Sequence, residues 1–521
     1  MNNDTIKSGD DMNTNERSAA PRLRKSKRAL WLGMAGLCAG VAAIVPLGGT
    51  GRAAGTESEG LLCTRDTANG TNPTFNITAT DGYTSEPDGN AIYNWGFTAV
   101  GTTFQLPGPV LCVNEGDVVT VNLTNMLRVA TSIQFPGQEG VTFNNGTVSG
   151  PEGPVAAADG TLLSLVHEAP AGGVVSYTFT ASKAGTYVYE SGSDPQLQVQ
   201  MGLFGSIVVS PNVAISAADI LAIPADGPDG VTTNEQRGMQ LAEATVALAS
   251  AKCAYASVSD PTKCDPLAIY NGNRENILML SEVDPGLHSF MEQHKADVDT
   301  PATPIASVLS WNGYPGAYEA HYFMINGRSM PDTLAPNNAP WLPGQPYGAM
   351  AHVQPWDVHT NPLDAMLRYV GVGITGYDFH PHSNHEHVIA TDGALMKGAA
   401  GDDTEEKFNI LVNPGSTVDA TFRWTNEEGY KDSDGRRLPV TWPQSLNMHE
   451  GDFWSGSPYL GESGQLNPGI LGKTQCGEYY HVAHSHDLTQ ATNYGITFGG
   501  MLTLIKVEPP DGVPGLAKCQ G

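Results

Sequence analysis

The sequence predicts an all-β protein of three consecutive β-sandwich domains, with a short helical connection between the first and the second. Three observations carry that expectation. Apolar residues alternate with polar ones at a period of two in segment after segment, the mark of half-buried strands. Sixty glycines and thirty-six prolines supply many turns and leave few long helical runs. The 521 residues exceed what one core supports, and domains of ordinary size divide them into about three.

Residues 1–53 read as a leader rather than as part of the fold. The basic run Arg22–Arg28 precedes an apolar stretch from Ala29 to about Leu47, and cleavage is expected after Ala53. An uncleaved anchor is the alternative, because the apolar run approaches the roughly 18 residues that cross a bilayer. Export to the cell envelope or the exterior follows from either reading.

The first sandwich is expected over 54–213, where Val119, Val121 and Leu123 alternate with polar residues, as do Val175, Tyr177 and Phe179. Residues 214–272 break this rhythm. Within them Asn234–Ala254 is rich in Ala, Glu and Leu and predicts one helix. Strand patterning returns with Asn276–Ser281 in a second domain, 273–400. A third domain, 401–521, holds Val418, Ala420, Phe422 and Trp424 at alternating positions and closes with Met501–Val507.

Residues 1–53 hold 8 of the 27 Lys and Arg but only 4 of the 54 Asp and Glu, so the remainder is more acidic than the whole chain's −27. Such a surface repels nucleic acid and anionic membranes and attracts cations. No nucleic-acid partner is expected, and no membrane contact beyond an uncleaved anchor. Six of the seven cysteines lie beyond the leader, an even number that points to disulfides in an exported chain. Cys253 with Cys264 closes the shortest loop. Cys63–Cys112 and Cys476–Cys519 follow if bridges stay within domains.

Histidine is concentrated. Four of fourteen fall within eight residues, at His380, His382, His385 and His387, and His481, His484 and His486 form a second group. On a strand, H-x-H places both rings on one face, and imidazole is the commonest protein ligand for transition metals. Two such pairs on neighbouring strands would make a metal site, expected between the second and third domains. The candidate ligands are His380, His382, His484 and His486. His385 joins them if Ser383-Asn384 forms a bulge that returns it to the same face. His387 and His481 are weaker candidates, and either could simply be exposed. Asp487 could orient a ring, Glu386 is expected to be a surface charge, and Met501 is expected in the core. His167, His288 and His352 carry no spacing signal.

Several segments resemble the multicopper oxidases. Ala130–Gly137, with its T-S-I-Q-F-P-G core, is similar to that family's T-S-I-H-W-H-G. Ala184–Gly192 is similar to P-G-T-Y-W-Y-H-S-H, and Gln200–Val209 follows it as expected. Tyr322–Asp332, the 377–393 stretch and His484-Ser-His486 with Gly500-Met501 also fit. The resemblance implies Greek-key cupredoxin-like domains, copper as cofactor and oxidoreductase chemistry.

The departures narrow that implication. The first-domain ligand pairs are Gln134 with Pro136 and Glu190 with Gly192; the blue-copper positions hold Tyr377 and Ser485. Blue copper needs a cysteine thiolate. The resemblance therefore leaves His380, His382, His484 and His486 to hold copper, with zinc or manganese as other candidates. Glu190 is expected to hydrogen-bond locally rather than ligate a hard ion. The expected function is an exported metal-binding protein of oxidoreductase type. The alternative is a non-enzymatic envelope protein, structural or metal-sequestering, whose copper site has been retired.

Overall fold

The computed structural model describes residues 59–508, apart from 67, 69, 100–102, 226–231, 296–317, 383, 400, 426–478 and 498. The expected leader and the Cys476–Cys519 bridge lie outside the described residues. The other two expected disulfides, Cys63–Cys112 and Cys253–Cys264, are present.

The alternating segments are strands, as the pattern requires. Val118–Asn125 and Val174–Thr180 pair antiparallel in a six-stranded sheet, and Val119, Val121, Leu123, Val175, Tyr177 and Phe179 all point into its buried face. Facing it is a three-stranded sheet of Gly185–Glu190, Phe204–Ser210 and Leu111–Asn114. Tyr187, Tyr189, Ile207 and Val113 meet the alternating residues in one core, which makes a β-sandwich.

Most of the remaining described strands build one further sandwich rather than two in succession. One sheet runs Ala251–Cys253, Ile269–Val283, Asp364–Gly371, Thr417–Phe422, Glu386–Thr391 and Ala394–Leu395. The other runs Ala351–Val353, Leu502–Val507, Tyr479–Ser485, Tyr377–Pro381 and Ile410–Val412. Their facing residues share a core that includes Leu367, Tyr369, Phe379, Val418, Phe422, Ala483 and Ile505. Thr417–Phe422 lies between Asp364–Gly371 and Glu386–Thr391. The boundary expected at 400 thus falls inside a pair of shared sheets, and the segments expected as second and third domains interleave. Local alternation identifies a strand but carries no record of its partner.

The expected helix at 234–254 is shorter. It spans Leu241–Ala247, begun by a capping box between Gln240 and Glu243. Residues Ala251–Cys253 instead pair with Ile269–Asn271, and the Cys253–Cys264 bridge holds that corner. Strand pairing and a covalent tether override the helical propensity of the segment.

The two sandwiches pack against each other. Leu106, Val110, Val188, Phe204 and Val208 of the first meet Ile277, Met279, Tyr347, Val370 and Val372 of the second. This explains why Phe204–Ser210 and Thr417–Phe422 are buried on both faces. At the seam, Arg368 is fully enclosed. It donates to Glu275 (2.9 Å), Asp419 (3.0 Å) and Thr186 of the first sandwich (2.9 Å).

Candidate metal centre

Tyr377–Pro381 and Tyr479–Ser485 are neighbouring antiparallel strands, with His380 directly opposite His484. The strand period then divides their side chains. Tyr377, Phe379 and Pro381 point into the core, whereas Asp378, His380 and His382 point outward. His484 lies on the same outer face, and the sheet register does what the H-x-H spacing requires.

His380, His382 and His484 come together, each offering one nitrogen within 4.8 Å of the others. The Nε2 atoms of His382 and His484 are 3.2 Å apart. His380 Nδ1 donates to Phe408 O at 2.5 Å, and His484 Nδ1 donates to Ser485 O at 2.7 Å. Each backbone carbonyl can only accept, so the proton is fixed on Nδ1 and the Nε2 lone pair is turned to the cluster. Partial burial, with the mutual proximity of the rings, holds the pKa of all three imidazoles down, that of His382 to about 4. They are neutral at physiological pH, the state a metal requires.

His486 stands beside the trio, its ring 4.9 Å from that of His380, but exposed. His385 is not gathered in; it is exposed, with its ring against Phe408 at 5.6 Å. His387 and His481, the weaker candidates, are both buried. His481 Nε2 accepts from the Trp424 indole at 3.0 Å, a structural role inside the sandwich. Glu386, expected as a surface charge, is also fully buried: it accepts from Tyr369 OH at 2.7 Å, and burial raises its pKa to about 8. Glu386–Ala390 are buried on both faces of their strand, so alternation gave no signal for it. Asp487 accepts from Thr489 and shapes the following turn rather than a ring.

The departing positions are filled by protein. Gln134 Nε2 donates to Glu190 Oε1 at 2.8 Å, and their backbones form a bridge. A side chain at Gly192 would place its Cβ 2.7 Å from Val166 Cγ2, so there is no room for one at that position. Ser485 Oγ donates to Gln490 Oε1 at 2.6 Å, Tyr377 is enclosed, and Met501 is in the core as expected.

A second group escaped the sequence because its members are far apart: Glu59, His352 and Glu508. His352 Nδ1 is 3.0 Å from Glu59 and 3.5 Å from Glu508, while Arg274 and Lys506 pair with the same carboxylates. Burial opposes protonation of His352, but the two carboxylates outweigh it and raise its pKa. This is an ion network that ties the last described strand to the first described residues. Among the described residues no helix is long and apolar enough to cross a membrane.

Comparison with known proteins places a family match on the first sandwich. Residues 97–213 fit the family model described as multicopper oxidase. The chain is 33% identical over 115 residues to L-ascorbate oxidase of Cucumis sativus, covering 22% of this chain and 17% of that protein. It is 36% identical over 113 residues to copper resistance protein A of Pseudomonas syringae pv. tomato, covering 22% and 16%. The chain thus spans about a sixth of the length of the curated relatives it matches. Among solved structures, the multicopper oxidase mgLAC and the blue copper oxidase from Nitrosomonas europaea each align at a TM-score of 0.44 with 17% identity. They cover 85% of this chain and 87% and 88% of their own. The family match falls on the half whose ligand positions are replaced, and the histidine trio lies outside it.

Proposed function

We propose that the chain, whose residues 97–213 match the multicopper oxidase family model, is a copper-binding protein of oxidoreductase type, holding a single ion at His380, His382 and His484. The observation that carries this reading is the gathering of three imidazole nitrogens within 4.8 Å, with His380 and His484 each holding a proton on Nδ1 and turning Nε2 to the cluster. The His382 and His484 Nε2 atoms, 3.2 Å apart, are close enough to share a proton as an N–H···N hydrogen bond, and an ion between them would take the place of that contact. Metal–nitrogen bonds of about 2.0–2.1 Å at roughly tetrahedral angles bring two ligand nitrogens to about this separation. The residues therefore fit the ion.

Copper bound there would supply one-electron redox chemistry. An all-imidazole set suits copper or zinc and argues against manganese, which prefers carboxylate and carbonyl oxygen. The protein's own part is to present neutral rings and to fix their orientation through Phe408 O and Ser485 O. The Phe408 side chain screens one side of His380. His486, exposed beside the trio, is the residue we assign to a fourth position.

The Gln134–Glu190 pair supports a restricted form of this function. A direct hydrogen bond occupies the positions where the resemblance expects further copper ligands. The site is thus suited to one ion, not to a cluster that gathers several electrons. Sequestration without turnover is the second reading, and the same pair favours it. Export remains part of the proposal, resting on the leader-like 1–53 segment.

Copper titration of the purified metal-free protein tests this. One equivalent should bind, with the electron paramagnetic resonance of nitrogen-ligated copper(II). His382→Ala and His484→Ala should each lose that signal, whereas His385→Ala should keep it. Stoichiometric binding that survives both substitutions would refute the site. Oxygen uptake with the loaded protein then separates oxidoreductase from sequestration.

A further inference from the structure

Beneath the histidine face, the same strand begins with a buried phenol that has no structural explanation. Tyr377 is completely enclosed, and its hydroxyl has no hydrogen-bond partner among the described residues. An unsatisfied buried hydroxyl costs about 1–3 kcal/mol, and phenylalanine would fill the same space without that cost. Such a group in a well-packed core calls for a reason, and redox or proton chemistry is one of the few available.

The neighbour of the hydroxyl supplies it. A Cβ on Gly373 would lie 1.7 Å from the Tyr377 hydroxyl oxygen and 2.0 Å from Glu282 Oε2, so these two oxygens share the space where a side chain is missing. Only glycine permits this approach at 373. Glu282 is itself buried, and its carboxylate is held by Ile374 N at 2.8 Å and Tyr318 OH at 3.3 Å, both on Oε1. Oε2 takes a long contact of 3.5 Å from the Thr375 hydroxyl. Burial raises the Glu282 pKa to about 7 against those hydrogen bonds, so the group exchanges a proton near neutrality. One oxygen of the carboxylate is anchored, and the other lies beside the phenol over Gly373, with no hydrogen bond between the two.

We propose that Tyr377 is a redox-active tyrosine whose phenolic proton passes to Glu282 Oε2 when one electron is withdrawn. The O–H bond of Tyr377 breaks, the proton bonds to the ionised carboxylate, and a neutral phenoxyl radical remains. The electron goes to a one-electron oxidant of the outer-sphere inorganic class. The reaction is reversed when a one-electron donor reduces the radical and Glu282 returns the proton. Enclosure by the core protects the radical from coupling with another phenol. His380 follows three residues along the same strand, so this carrier adjoins the histidine face. The proposal uses no bound metal, and it stands or falls separately from the copper reading.

The test uses the full-length protein, free of metal, treated above neutral pH with hexachloroiridate(IV) and freeze-quenched for electron paramagnetic resonance. A persistent phenoxyl signal is expected in the wild type. Tyr377→Phe should abolish it, Glu282→Gln should lower its yield at least tenfold, and Tyr494→Phe at the surface should leave it unchanged. Gly373→Ala, which puts a methyl between the two oxygens, should act like Glu282→Gln. A persistent radical that survives Tyr377→Phe, or no such radical in the wild type, would overturn the proposal. A full yield in Glu282→Gln would remove the proton acceptor and overturn the pair.

Discussion

Replacing Ser485 by cysteine puts back the residue type on which a blue copper centre depends, and it should still fail to produce one. The hydroxyl is completely buried and donates to Gln490 Oε1 at 2.6 Å. A thiol is a weak donor, so the substitution leaves that carbonyl oxygen largely unsatisfied. Gln490 keeps its other bond, from Nε2 to Gly376 O at 3.2 Å, and is itself nearly buried. One unsatisfied neutral acceptor costs about 1–3 kcal/mol, and the larger sulfur adds crowding in a packed core. We therefore expect a stability loss of about 2–3 kcal/mol by chemical denaturation. The copper-loaded variant should lack the intense charge-transfer band of a copper–thiolate bond. Phe379 is the residue opposite Ser485 in the sheet, and Tyr377, where the resemblance expects a ligand, keeps its ring in the core. A blue protein on adding copper would refute this account of the interior.

Three further outcomes follow from the same geometry. Arg368→Met removes the cation between Glu275 and Asp419 and leaves both carboxylates buried. Lys252 and Thr186 still serve them in part, so the expected loss is about 3–5 kcal/mol, read from denaturant midpoints. Gly192→His should neither create copper affinity nor be tolerated: the contact with Val166 predicts about 1–3 kcal/mol of destabilisation from overpacking, with copper stoichiometry unchanged. For Glu386, the folded pKa of about 8 lies above its unfolded value. The folded state then holds the extra proton, and stability falls as pH rises between about 4.5 and 8. Glu386→Gln should flatten that slope in melting curves taken across the range, and an unchanged slope would show that Glu386 does not cause it.

Much of the metal centre was legible in the chain itself. The H-x-H spacing puts His380 and His382 on one face, since strand side chains alternate whatever the partner, whereas the register with Tyr479–Ser485 adds His484. The same local physics revealed the strands at 118–125 and 174–180, the Cys253–Cys264 loop and the core position of Met501. His385, His387 and Glu386 were less legible because they follow the break between Tyr377–Pro381 and Glu386–Thr391, where the phase is reset; His481 is three residues from His484 on an unbroken strand and so takes the inward face.

Tertiary structure alone decided which strands are neighbours. Thr417–Phe422 inserts between two strands that precede it in the chain, and this merges the expected second and third domains into one sandwich. It also decided that Arg368 joins the two sandwiches, that Gln134 and Glu190 close on each other, and that Tyr377 meets Glu282 over Gly373. Each of these depends on contacts between residues far apart in sequence, which form only when the buried faces of several strands find one another. Alternation prescribes a face for every strand, whereas the shared core determines what that face meets.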